Sequence, residues 1–229
     1  MYYRGARYIT LTWNNSTNWA TSAAYETSGK ILSHIGLNDF GKEAVKHMNK
    51  LGMMIDVSHV GDQTFWDVIN TTTKPIIASH SSVYNITPQR RNLKDDQIKA
   101  IAKNGGVIQI NFYPLFIDST AGKKFDDFLN LHMAENDSLM NVGINDWVAG
   151  AILFSRYSKD LQYMRPPLST LIQHIEYVIK LVGVDYVGLG SDFDGIEFTP
   201  LGLDDVSKYP LITKALLEKG YSKKDVTKI

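Results

Sequence analysis

The sequence predicts an α/β fold built on parallel strands, on three observations. Five short apolar runs recur along the chain, most of them rich in β-branched or aromatic residues and close to turn residues. Helical patterns separate these runs, so the order is strand, helix, strand, helix. The runs read as parallel strands, apolar on both faces.

The first run is 8–13 (YITLTW). The segment 37–51 then places Phe40, Ala44, Met48 and Leu51 on one helical stripe, and Gly52 ends it. The second run is 53–57 (MMIDV), followed by a helix over 61–70 with Phe65, Val68 and Ile69 inward. The third run is 75–78 (PIIA). A helix over 94–103 carries Asp95 and Asp96 in its first turn, Ile98 and Ile101 inside, and Asn104-Gly105 as its stop. The fourth run is 107–112 (VIQINF). The stretch 114–167 breaks the rhythm with clustered Phe, Trp and Met among scattered charges, and reads as a partly helical insertion or lid over one end of the sheet. Thr170 and Gln173 form a T-x-x-Q capping box for a helix that Gly183 closes. The fifth run is 186–189 (YVGL), and two further helices begin near Pro210 and Ser222. The expected organisation is one domain, 1–229, carrying that insertion.

Composition narrows the functional classes. The 24 Lys+Arg balance 24 Asp+Glu, so no excess of cations is available for a general nucleic-acid binder. Cysteine is absent, which removes disulfides, thiolate metal sites and a cysteine nucleophile. No apolar run reaches the ~18 residues of a membrane span.

In parallel α/β folds the chemistry gathers beyond the carboxyl ends of the strands. Ser58-His59-Val60 follows the second run, Ser79-His80-Ser81-Ser82 the third, and Ser191-Asp192-Phe193-Asp194-Gly195 the fifth. A single histidine after a strand is more often a hydrogen-bonded core residue than a ligand. Two on successive strand ends, with a carboxylate on a later one, suit zinc or a similar divalent ion. On this reading Asp192 would touch the metal. Arg91, in the loop after His80, becomes a candidate clamp for a substrate carboxylate. Of the other histidines, His47 reads as a surface pair with Glu43, His174 as packed or solvent-facing, and His34 and His132 as lying in irregular regions. Ser81 and Ser82 lack a G-x-S-x-G elbow, and no phosphate-binding glycine loop is present.

The stretches GARYITLTW, GLNDFGKEAVKHMNKLGMMIDVSHV, FWDVI, KPIIASHSS, RRNLKDDQIKAIAKNGGVIQINFY, HIEYVIKLVGVDYVGLGSDFDG and GLDDVSKYP together cover most of the chain outside the insertion. In this combination the chain resembles the membrane dipeptidase (renal dipeptidase) family of zinc peptidases, peptidase family M19. The resemblance implies a (β/α)₈ barrel, of which the five runs would be strands four to eight. It also implies dipeptide hydrolysis at two bridged zinc ions. Carried onto this sequence, it makes His59 and His80 ligands of one zinc, and Arg91 the group that holds the substrate's C-terminal carboxylate. Asp192 would lie near the substrate amino group and assist proton transfer, without ligating metal. The family's remaining ligands, a His-x-Asp pair and a bridging glutamate, lie N-terminal to GARYITLTW, so the expectation is an N-terminally truncated member with an incomplete site. Trp13 stands where many members have histidine. The implied partners are a dipeptide substrate and a second copy in a homodimer. The competing readings are a catalytically inactive fragment or non-catalytic ligand-binding remnant of the family, and another amidohydrolase-type metal-dependent hydrolase in which Asp192 does ligate.

Overall fold

A computed structural model describes residues 1–30 and 33–229. Five strands form one parallel sheet in sequence order: β1 (Tyr8–Thr10), β2 (Met54–Asp56), β3 (Ile77–Ala78), β4 (Val107–Asn111) and β5 (Val187–Gly190). Each crossover carries the chain back to start the next strand in the same direction, as parallel pairing requires. The register pairs Ile9 with Ile55, Asp56 with Ile77, Ala78 with Ile108, and Asn111 with Gly190. The carboxyl ends of all five strands therefore open on the same side. The sheet is central, parallel and flanked by helices, a partial barrel-like arrangement.

The helices are α1 (Ala23–Glu26), α2 (Asp39–Leu51), α3 (Asp62–Thr71), α4 (Asp95–Asn104), α5 (Pro114–Ile117), α6 (Ala121–Leu131), α7 (Met133–Asn141), α8 (Asp146–Arg156), α9 (Leu168–Val182), α10 (Tyr209–Glu218) and α11 (Lys223–Val226). Of these, α2, α3, α4, α9 and α10 pack side by side in that order. Their apolar stripes meet the sheet in one core, where Val45, Phe65, Val68, Ile98, Ile101 and Ile175 lie against Ile55, Ile76, Ile108 and Ile110. Gly52 and Gly105 end α2 and α4 in the left-handed conformation that the sequence assigned to them. Gln97 secures the start of α4, its Oε1 accepting the Lys94 N–H at 2.9 Å.

Local details correct the sequence reading. The stripe of α2 that faces inward is Gly41, Val45 and Met48, whereas Phe40 is 67% exposed. Glu43 pairs with Lys46 at 2.7 Å rather than with His47. α9 begins two residues before the Thr170 box, with Pro167 at its N-cap and no side-chain cap. β1 ends at Thr10, three residues short of Trp13. Between β4 and α9, helices α6 to α8 and the turn that follows α8 build a second small apolar cluster around Phe128, Leu153, Phe154, Leu161 and Met164. Among the described residues, no helix is long and apolar enough to cross a membrane.

Candidate active site

β2 and β3 deliver the two histidines. His59 lies beyond β2 with φ at 70°, a left-handed backbone conformation that non-glycine residues rarely adopt. Such strain costs about 1–3 kcal/mol and clusters at functional positions. His80 lies beyond β3, and the two rings converge with Nε2 to Nε2 at 2.8 Å. Burial pushes the His59 imidazole down to about 2, with the Arg91 charge and His80 adding to the effect. Burial and Arg91 lower His80 as well, against the pull of Asp192 and Asp56. Both rings are thus neutral at pH 7, the state in which imidazole ligates a cation.

Beneath them sits Asp56, the last residue of β2 and fully buried. Its Oδ1 accepts the backbone N–H groups of Ser58 at 2.9 Å and Ser79 at 3.0 Å. Its Oδ2 accepts the hydroxyls of Thr10 and Ser79, each at 2.6 Å. Ser79 Oγ also lies 2.7 Å from His80 Nδ1. Ser58 Oγ accepts the His80 N–H at 3.0 Å, which fixes the backbone of the second histidine.

Arg91 is carried by the loop between β3 and α4. That loop is cinched where Leu93 N–H reaches Ser82 O at 2.8 Å, and where Asn92 Nδ2 bonds Thr87 O and Phe116 O. Arg91 is only 7% exposed, and its guanidinium lies over the Phe116 ring, 5.5 Å from the centroid. Its Nη2 makes one long bond, 3.4 Å, to His80 O, and its Nε has no partner. Burial lowers its pKa to about 10, while Asp56 and Asp192 pull it back up. A buried cation with unused donors is costly unless an anion completes it. Arg90, by contrast, is exposed.

Asp192 follows β5, also with a left-handed φ, at 61°. Its Oδ2 accepts Asn111 Nδ2 at 3.1 Å, and its carbonyl accepts Gly195 N–H at 2.9 Å. A Cβ on Gly195 would come within 2.3 Å of Asp192 Oδ1, so a larger residue there would displace the Asp192 carboxylate. Trp13 is 61% exposed at the rim, its ring 6.5 Å from that of His59. The structure therefore draws His59, His80 and Arg91 together directly, and Asp192 through its charge.

The sequence reading did not single out Asp56, Ser79 or Asn111. A lone aspartate in the apolar run MMIDV was the available signal for the first. His174, one of its two open alternatives resolved, is fully buried: Nδ1 accepts Val83 N–H at 3.1 Å, and Nε2 lies 3.0 Å from Ile117 O. His47 is exposed, and His132 links α6 to α7.

Neutral imidazole nitrogens are donors of the type that zinc and similar divalent ions accept. No group of three or more His, Cys, Asp or Glu side chains is placed to hold a metal among the described residues. The donor set within the described residues is therefore partial.

Fold and mouth together place the chain among parallel α/β proteins that concentrate their polar groups at the strand carboxyl ends. The family model for membrane dipeptidase (peptidase family M19) matches residues 1–229, and the chain belongs to that family. It is similar to an uncharacterized dipeptidase of Schizosaccharomyces pombe, 37% identical over 218 residues, covering 95% of this chain and 42% of that protein. Among solved structures it is similar to a metallopeptidase from Rhodobacter sphaeroides liganded with a phosphinate mimic of the dipeptide L-Ala-D-Ala. That match has a TM-score of 0.73 at 25% identity, over 100% of this chain and 54% of that one. The probable dipeptidase PvdM from Pseudomonas aeruginosa matches with a TM-score of 0.75 at 27% identity, over 99% and 60%. The chain thus spans about half the length of the relatives it matches.

Proposed function

We propose that this chain forms the substrate-carboxylate and histidine side of a zinc metallodipeptidase site, on strands four to eight of a (β/α)₈ barrel with the segment 114–167 as its lid. The observation that carries the proposal is the pair of neutral imidazole Nε2 atoms, 2.8 Å apart, beside a buried guanidinium whose Nε has no partner. Family membership and the dipeptide mimic bound to the Rhodobacter relative support it.

His59 and His80 would hold one zinc ion, and bound zinc supplies an acidified water and a polarised carbonyl. Arg91 binds the free carboxylate of a dipeptide through its planar fork, which a longer peptide cannot offer at the same depth. The Phe116 ring backs the guanidinium and keeps water from it. Asp192, anchored by Asn111, would pair with the substrate ammonium or pass to the leaving amine the proton given up by the attacking water. The burial of Arg91 strengthens its charge contact.

The test is L-Ala-D-Ala turnover and binding by the chain with zinc and after chelation. Chelator-sensitive hydrolysis supports the reading. The second reading, a non-catalytic dipeptide binder, is favoured by the partial donor set; it predicts binding through Arg91 that chelation leaves unchanged. Binding that survives Arg91→Met contradicts both.

A further inference from the structure

We propose that Asp56, acting through Ser79, fixes His80 in the tautomer that carries its proton on Nδ1, so that His80 presents a bare Nε2 to the mouth while His59 carries its proton on Nε2. The hydrogen-bond chain dictates this. Ser79 Oγ stands 2.6 Å from Asp56 Oδ2, a carboxylate oxygen that also accepts the Thr10 hydroxyl. A carboxylate oxygen has no proton to give, so the single Ser79 hydroxyl proton points to Asp56. Ser79 Oγ is then left with lone pairs toward His80 Nδ1, 2.7 Å away, and Nδ1 must donate. His80 Nε2 is consequently bare. At 2.8 Å from His59 Nε2, two bare nitrogens would repel, so His59 Nε2 holds the proton between them.

The other end of His59 agrees. Its Nδ1 is buried without a partner. A bare imine nitrogen there avoids a buried unsatisfied donor. Every donor in the series His59, His80, Ser79, Asp56 thus points toward Asp56. The contact of Ser79 Oγ with Ser58 Oγ, at 3.4 Å, is too long to compete.

The two histidines are not equivalent. His80 is preset to ligate through Nε2. His59 must shift its proton from Nε2 to Nδ1 before its own Nε2 is free. Asp56 and Ser79 are therefore positioning residues. The statement about ligation rests on reading the pair as metal ligands, whereas the tautomer assignment rests on the hydrogen bonds alone.

Asp56→Asn makes the sharpest variant. With its oxygen retained by the two backbone N–H groups at Oδ1, its amide nitrogen faces Ser79 and donates to it. The Ser79 proton then turns to His80 Nδ1, and His80 flips to the Nε2–H form. The same logic makes an Asp→Asn change beside a catalytic histidine select the wrong tautomer. Ser79→Ala, a milder change, removes the relay if Asp56→Asn does not fold.

The experiment is long-range ¹⁵N–¹H correlation spectroscopy of the histidine rings in the chelator-treated full chain, assigned with His59→Gln and His80→Gln, followed by zinc titration. The expected result is Nδ1–H for His80 and Nε2–H for His59, reversal at His80 in Asp56→Asn, and loss of the single Nδ1–H form in Ser79→Ala. Zinc affinity is expected to fall about 10- to 100-fold in either variant. A wild-type His80 in the Nε2–H form overturns the proposal, as does an unreversed His80 in folded Asp56→Asn. Correct tautomers with no zinc uptake by the wild type uphold the assignment and reject the metal reading instead.

Discussion

Arg91 joins a buried cation with an unpartnered donor to the simplest ligand that would meet it. Its neighbours offer the guanidinium one long bond, and its burial excludes the water that would otherwise serve. Arg91→Lys keeps the charge and removes the fork, and should weaken L-Ala-D-Ala binding by about 1.5–3 kcal/mol, roughly 10- to 150-fold. Calorimetric titration measures this, and unchanged affinity would show that the carboxylate binds elsewhere. His174 offers a pH test at the same scale. Burial holds it down to about 4 against an ordinary 6.5, so the unfolded chain takes up its proton first as pH falls. Its contribution is complete above pH 6.5 and is lost progressively toward pH 4, about 3 kcal/mol in all. Denaturant unfolding of wild type and His174→Gln across that range checks it: the variant's stability should fall less steeply. The residues visible from the sequence, His59, His80, Arg91 and Asp192, are those whose chemistry shows in their type and in their place after a strand. Asp56, Ser79 and Asn111 were not, because their importance lies in bonds to residues distant in sequence. Thr10 to Asp56 and Asn111 to Asp192 are such bonds.

Strands and helices were legible where pattern and punctuation agreed. The Gly52 and Gly105 stops fell where the sequence put them, since a left-handed C-cap has few alternatives. The Thr170 box failed because the helix could start earlier on Pro167, and a local motif does not reveal a competing start. Phe40 misled the stripe of α2 because hydrophobicity alone does not distinguish the inward face from its flank. One element-scale contact bears on the site. A Cβ on Gly190 would lie 2.2 Å from the Ser79 carbonyl, a backbone atom that can yield only by moving β3 or β5. Gly190→Ala should therefore destabilise the fold by about 1–3 kcal/mol and shift Ser79 with its neighbour His80. Urea unfolding gives the first quantity. The second appears as weakened zinc uptake, while a wild-type midpoint and affinity would contradict the account.

At the scale of the molecule, one rule explains why residues far apart in sequence share a mouth. Parallel strands laid down in chain order put every strand's carboxyl end on one side, and the loops there carry the polar chemistry. That rule was readable from the strand–helix alternation. The packing of α6 to α8 around their own apolar cluster was not, because no repeating period marks it. The central claim is that this mouth takes a divalent ion through His59 and His80. Calorimetric titration of zinc into the chelator-stripped chain, wild type against the His59→Gln/His80→Gln double variant, tests it most directly. The account predicts a single binding event in the wild type that disappears in the variant, with both proteins folded by circular dichroism. Equal zinc uptake by the two, or none by the wild type, would contradict it.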